Sequence, residues 1–407
     1  MFFTEIKYQP EKGGCYLGSP SIVRLTDGAL LVSHDYFGRG APRGDAGENG
    51  LTSVYRSEDN GATWHNISHV MNLFWPSLFT HNDAVWLLGC SHEYGSIVIR
   101  RSDDGGFSWT HPTDARNGML FASGPGRECP NYHCAPVPVV VHHGRIYRAF
   151  EDNATGAWPS GFHSCVISAP VNANLLDATS WTMSNKLSFK QTWIPDRKQY
   201  EQSSYGNRGW GWLEGNIVIT PDDRLVNILR LHAPLKKWPG HEDSDTDIGF
   251  NQERADACED SDQAAVVEVS ANGSRLRFNP DKGRIYFPGG GIGKFTIRRD
   301  PITGMYLSIV NRTSDTATKF KFWRNVLSLA VSADLYHWRI ACKLLEDDSG
   351  LSSADSRSLS GFQYVDWIFD GDDLLFAART AYRGAHSAHD SNRITFHRLN
   401  DFRDRIK

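Results

Sequence analysis

A two-strand unit recurs six times along the chain and restricts its fold more than any other feature. The copies are SPSIVRLTDGALLVSHDYF (19–37), WPSLFTHNDAVWLLGCS (75–91), HCAPVPVVVHHGRIYRAFED (133–152), LEGNIVITPDDRLVNILRLH (213–232), KFTIRRDPITGMYLSIVNR (294–312) and FQYVDWIFDGDDLLFAARTAY (362–382). In each, two apolar runs flank a tight turn of Asp-Gly, Asn-Asp or Gly type, the pattern of a β-hairpin. No amphipathic helix longer than two turns interrupts them, so the chain reads as all-β. Such a chain must hide its sheet edges, and a closed ring of sheets does so.

In the first two units a third run leads into SEDNGATW (57–64) and SDDGGFSW (102–109), with SADLYHW (332–338) a degenerate copy. The spacing S-x-D-x-G-x-[ST]-W has a local logic. The Asp side chain accepts from turn N–H groups, Gly takes a positive φ, and Trp packs between strands. Two copies at one register resemble the Asp-box hairpin of sialidase-like β-propellers. The resemblance implies four-stranded antiparallel blades, with the box as a structural turn on the face away from the active site. The units start at 19, 75, 133, 213, 294 and 362. The wider spacing after 133 leaves room for an unseen blade, so seven blades are expected although six units are visible. The final run RITFHRL (393–399) lacks an outer partner, and the N-terminal FFTEIKYQP is expected to supply it. No linker divides the chain, so residues 1–407 are expected to form a single propeller domain.

Composition agrees. The 407 residues are 40% apolar and 22% charged, with a net charge of −4, enough for a large core and too balanced for disorder. Lys and Arg are scattered, which argues against a nucleic-acid partner or an anionic membrane surface. No window approaches 18 consecutive apolar residues, and Met1-Phe-Phe-Thr-Glu-Ile-Lys has neither a basic nor an apolar signal region. The expected location is intracellular, or secreted if a signal has been removed. The seven cysteines show no zinc spacing and are expected to be mostly reduced and buried. Four sequons, at Asn66, Asn153, Asn272 and Asn311, matter only in a secreted protein.

In a propeller blade the innermost strand starts, and the second strand ends, at the substrate face. Strand starts therefore offer Ser19, His133, Glu214, Asn216, Lys294 and Gln363. Strand ends offer His34, Asp35, His92, Glu151, Asn153, Arg230, His232, Asn311, Arg312 and Arg379. Loops add Tyr382, His386, His389, Asp390, Asn392 and the insertion 233–263. Several arginines with histidines suit an anionic ligand. A strand-terminal arginine also makes structural ion pairs, and a lone histidine is often a core residue. Tyr200 and Tyr205, with Trp210 and Trp212, read either as a sugar-stacking lip or as loop packing.

The segments VSHDYFG, YHCAPVPVVV, GRIYRAFED, WLEGNIVIT, GKFTIRRD, GFQYVDW and HDSNRITFHRL resemble a sialidase-like propeller family. That family contains enzymes removing terminal L-rhamnose from the rhamnosyl-α-1,4-glucuronate caps of gum arabic and arabinogalactan, and the ulvan lyases are more distant. True sialidases carry an early Arg-Ile-Pro where this chain has Ser19-Pro20-Ser21. The resemblance implies an exo-acting lyase working by β-elimination on an oligo- or polysaccharide with that cap. It assigns catalysis to His133 and Arg230, completed by Tyr205, Tyr382 or His389, with Arg379 as a second anion binder. The channel-facing and loop positions add His34, Glu214, Asn153, Gln363, Tyr382 and Trp212 as substrate contacts. A structural calcium ion near the ring centre, on Asp35, Asp390 and carbonyls, is a further implication. The alternatives are a hydrolase on the same cap, using Glu214, Glu151 and Asp390 or His34, a sialidase-like hydrolase, and a non-catalytic glycan-binding propeller.

Overall fold

The apolar runs pair into six antiparallel sheets in the computed structural model, which describes residues 3–194, 210–232, 262–312 and 324–407. The sheets follow one another along the chain as propeller blades. Blade one has an inner edge broken into Tyr16–Leu17 and Ser21–Arg24, then Leu30–Phe37, Leu51–Ser57 and His65–Met71. Blade two runs Phe74–His81, Ala84–Cys90, Ile97–Ser102 and Met119–Phe121. In blade three, Tyr132–His133 and Val140–His142 form the inner edge on Arg145–Asn153, separated by the proline-containing stretch CAPVPV that cannot donate a full ladder. Phe162–Pro170 follows, edged by Thr182–Met183 and Leu187–Ser188. Blade four is Gly211–Ile219, Leu225–His232 and Gln263–Val269, edged by Leu276–Phe278 and Arg284–Tyr286. Blade five is Ile297–Arg299, Tyr306–Val310, Val326–Ser332 and Arg339–Glu346, and blade six begins Gly361–Asp370, Asp373–Ala381, Arg393–Leu399.

Middle strands are buried along their length, Ala84–Cys90 and Val326–Ser332 at every residue, because a neighbouring blade covers each face. Outer strands such as Arg339–Glu346 are half-wet. The ring closes where the sequence predicts. Thr4–Tyr8 pairs antiparallel with Arg393–Leu399, and Ile6 is buried with Ile394 and Phe396.

The blade number is corrected from seven to six. Each of the six visible units is one blade, and no seventh sheet lies among the described residues. The extra length after 133 includes edge segments and 3-10 turns such as Ala178–Ser180 and Gln191–Trp193. Lengthening a connection costs little entropy, so spacing is a poor count of blades.

The Asp boxes form as expected. Asp59 accepts from Thr63 N at 2.8 Å and Ser57 Oγ at 2.8 Å, and Gly61 has φ 92°. A side chain at Gly61 would strike the Phe396 ring of blade six, its Cβ falling 2.1 Å from that ring. Asp104 repeats the pattern in blade two. The degenerate copy keeps the geometry too: Asp334 accepts from Tyr336 N and His337 N, while Leu335 takes φ 74° where the others have glycine.

Buried polar side chains stitch blades together near the axis. Ser77 donates to the Val137 carbonyl at 2.6 Å, and Asn216 bridges Phe295 O and Ile297 N. Asp366 accepts from Ser21 Oγ and Ile22 N, both at 3.0 Å, joining the last blade to the first.

Candidate active site

Three inner strands carry the same defect at the same place. The stretches Phe74-Trp75-Pro76-Ser77, Leu213-Glu214-Gly215-Asn216 and Gln363-Tyr364-Val365-Asp366 each slip register between their first and fourth residues. The second residue of each is left-handed, with φ of 51°, 58° and 53°. A bulge breaks strand alternation and re-aims that side chain, and the backbone conformation costs about 1–3 kcal/mol at a non-glycine residue. Buried charged groups hold the bulges. Arg148 donates to Trp75 O at 3.5 Å, Glu151 accepts from Gly215 N at 3.2 Å, and Lys294 donates to Val365 O at 2.8 Å. The three left-handed residues thus lie near the starts of the inner strands of blades two, four and six.

Glu214 and Tyr364, thrown out by two of these bulges, meet on one guanidinium. Arg230 Nη1 lies 3.1 Å from Glu214 Oε2 and donates to Tyr364 Oη at 3.4 Å, while Nε and Nη2 donate to the Gly291 and Ile292 carbonyls. Burial opposes the charge on Arg230, but Glu214 and Tyr364 beside it hold its pKa above the ordinary value. Burial pushes the Tyr364 phenol up, and Glu214 adds to this against the lowering effect of Arg230, Arg324 and Arg379.

Arg324 and Arg379 stand alongside. Arg324 donates to Gln363 Oε1 and, at 2.9 Å, to the Ile292 carbonyl; burial lowers its pKa to about 10, which leaves it charged at neutral pH. Arg379 lies over the rings of Phe37 at 4.4 Å and Tyr364 at 5.0 Å and donates to the His389 carbonyl. Among the described residues neither has a carboxylate at ion-pair distance, so the channel holds more cationic than anionic groups at Tyr364.

His133 sits at the start of the inner edge of blade three. Its Nδ1 is 2.9 Å from Glu151 Oε2, and Nε2 has no protein partner among the described residues. Burial acts to lower its pKa, but the Glu151 hydrogen bond and charge outweigh this and raise it. Since Glu151 also accepts from Gly215 N, one carboxylate ties His133 to the bulge that bears Glu214. Trp75 packs edge-on at 4.5 Å from the imidazole and Tyr94 lies 5.9 Å away; both rings are half-buried. Trp158 lies 5.8 Å from the Arg230 guanidinium. Asp35 accepts from Ser19 N at 2.9 Å and Trp75 N at 3.1 Å, and burial pushes its pKa up to about 7.

The structure thus brings together His133, Arg230, Glu214 and Arg379 of the expected set. His389 stays at the rim: its side chain is exposed and bonded to Asp390 at 2.7 Å. Asn153 is buried at the end of its strand, where its backbone N–H meets the Asn131 carbonyl. Four expected contacts lie packed within the fold. Trp212 is fully buried among Phe189, Trp193 and Phe278, and Trp210 shares that core, so neither forms a stacking lip. Gln363 is buried and binds the Ala388 and His389 carbonyls, bracing a loop. Tyr382 is buried with its hydroxyl on Asp348 at 2.8 Å. His34 is fully buried between the rings of Tyr36 and Tyr55. Tyr200 and Tyr205 lie outside the described residues.

His34 has a consequence for stability. Burial lowers its pKa from 6.5 to about 4, so the native state refuses a proton that the unfolded chain accepts. Its stabilising contribution is complete above pH 6.5 and is lost as pH falls toward 4, a loss of about 3 kcal/mol. Urea unfolding across that range should show this slope, and a variant with no titratable group at position 34 should flatten it.

The two carboxylates expected to hold calcium are engaged with protein groups. Asp35 engages both oxygens with backbone N–H groups, and Asp390 is held by His386 and His389. Sequence reasoning missed Tyr364, Arg324, Trp75, Tyr94 and Trp158. Aligning the six units on the bulge would have exposed Trp75 and Tyr364 beside Glu214.

No protein-family model and no curated protein matches this chain. Solved structures do. An α-L-arabinanase from Penicillium chrysogenum matches over 98% of both chains at 13% identity and TM-score 0.56. An α-L-arabinofuranosidase from Fusarium graminearum matches over 100% of this chain and 99% of its own at 11% identity and TM-score 0.57. A Trypanosoma rangeli sialidase matches over 94% of this chain and 54% of its own at 13% identity and TM-score 0.56. The chain has the sialidase-like, Asp-box six-bladed β-propeller fold. These relatives are glycosidases by name, which overturns the expectation of a lyase. Arg230, expected to neutralise a substrate carboxylate, is instead paired with Glu214 at 3.1 Å.

Proposed function

We propose that the protein is a glycoside hydrolase that removes a terminal sugar from an acidic glycan. One observation carries this: Arg324 and Arg379 flank Tyr364 without carboxylate partners among the described residues, while Glu214 and Tyr364 share Arg230. Guanidinium groups held by neutral acceptors in a channel favour a ligand carboxylate, and bidentate pairing gives it orientation. The names of the similar structures support hydrolysis.

In this reading Tyr364 is the nucleophile, since a nucleophile born neutral approaches a scissile bond beside a carboxylate without repulsion. Glu214 accepts the phenol proton as Oη bonds to the anomeric carbon, and Arg230 orients both groups. His133 gives the proton from Nε2 to the departing glycosidic oxygen, with Glu151 fixing the ring through Nδ1. Water then attacks the anomeric carbon, His133 Nε2 taking the water proton while Glu214 returns its proton to the departing Tyr364 oxygen, so configuration is retained and all three residues are restored. Trp75, Tyr94 and Trp158 provide faces for sugar rings.

The rhamnosyl-glucuronate cap is the first substrate to try, because it places a carboxylate beside the scissile bond. Incubation with gum arabic should release rhamnose with no ultraviolet absorbance from an unsaturated uronate. Sialyl and arabinosyl glycosides belong in the same panel. Absence of any released sugar across the panel would sink the hydrolase reading.

A further inference from the structure

We propose a zinc site on the opposite face of the propeller, formed by His142, His143 and Asp223. His142 ends the strand Val140–His142, and His143 stands in the turn before Arg145–Asn153. Asp223 stands in the corresponding turn of blade four, between Gly211–Ile219 and Leu225–His232. Glu214 lies near the start of Gly211–Ile219 and Asp223 beyond its end, so the cluster is remote from the reaction and none of it serves there.

The geometry suits an ion. His143 Nε2 lies 2.9 Å from Asp223 Oδ2, and His142 Nε2 lies 3.8 Å from Oδ1. One ligand atom from each residue falls within 4.8 Å of the others. Ligands about 2.0–2.1 Å from a tetrahedral zinc are spaced roughly 3.3 Å apart, within the span of the two measured separations. The imidazoles are already stacked, with centroids 3.8 Å apart and planes at 22°. His142 is largely buried, whereas the side chains of His143 and Asp223 are 63% and 65% exposed, so an ion can enter without opening the fold. The neighbouring Arg224 is paired to Asp222 at 2.6 Å rather than to Asp223. Two neutral imidazoles and one carboxylate favour a borderline first-row dication over calcium or magnesium. His142 now lies 3.3 Å from the Asp223 carbonyl, and that contact gives way to the metal bond.

Because its ligands come from two blades, the ion acts as a staple between blades three and four and stabilises the native ring by mass action. The full chain, freed of metal by a chelator, should take up one zinc ion per molecule in isothermal titration and melt at a higher temperature with zinc than without. Magnesium should do neither. His143→Ala and Asp223→Asn, both at exposed side chains, should weaken uptake by more than about tenfold and abolish the shift in melting temperature. No uptake by the parent protein would overturn the assignment, as would uptake left unchanged in both variants, which would place the ion elsewhere.

Discussion

Tyr364→Phe is expected to reduce turnover by roughly a thousandfold or more, the scale of losing a nucleophile or its activating base. The fold should hardly register the change. Among the described residues the Tyr364 hydroxyl makes one long hydrogen bond, 3.4 Å from Arg230, and its removal should cost under about 1 kcal/mol. Glu214→Gln should give a comparable loss of rate, since the amide cannot accept the phenol proton. It also leaves Arg230 without its buried counter-ion, so this variant should be less stable than Tyr364→Phe. Activity measured beside thermal unfolding separates the two effects. A Tyr364→Phe enzyme retaining a third of wild-type turnover would remove the phenol from the chemistry.

Asp366→Ala is expected to be the most damaging substitution for stability, by about 3–5 kcal/mol. Its carboxylate accepts from Ser21 Oγ and Ile22 N of blade one, from Arg298 of blade five at 3.0 Å, and from its own Trp367 N at 3.0 Å. Alanine would orphan two donors at the joint between the last and first blades and leave Arg298 without this partner. The same position in blades two and four is Ser77 and Asn216, which fasten to the next blade through backbone contacts in the same way. Chemical denaturation of Asp366→Ala and Asp366→Asn should rank the asparagine variant between alanine and wild type. Equal stability of Asp366→Ala and wild type would show that the remaining blade contacts close the ring unaided.

Much of the fold is legible in the sequence because its signals are local. Hairpin turns, alternating runs and the Asp–Gly–Trp spacing of the boxes depend on residues a few positions apart, and even Leu335 in the degenerate box adopts the predicted backbone. The N-terminal strand was legible from a different constraint, the need to cover the edge of Arg393–Leu399. Blade number was not, because spacing between units mixes strands with edge segments and loops of arbitrary length. The site divides along similar lines. Arg230, Arg379, Glu214 and His133 are found from their positions at strand ends. His34 occupies an equivalent position yet packs between Tyr36 and Tyr55, since strand alternation decides which terminal residues face the axis. Trp212 reads as a lip in a Gly/Ser-rich context, but its ring fills the space beside Phe189, Trp193 and Phe278. Tyr364 was hidden because a bulge reverses alternation, and no pattern of period two announces it.

The most direct test of an acidic-glycan hydrolase is the ratio of kcat/KM for a carboxylate-bearing oligosaccharide to that for its carboxyl-reduced twin. Two charge-assisted hydrogen bonds to Arg324 and Arg379 are worth about 3 kcal/mol in transition-state binding, so the acid should be preferred by roughly a hundredfold. That preference should collapse in Arg379→Ala. Equal hydrolysis of both substrates by the wild-type protein would contradict the account.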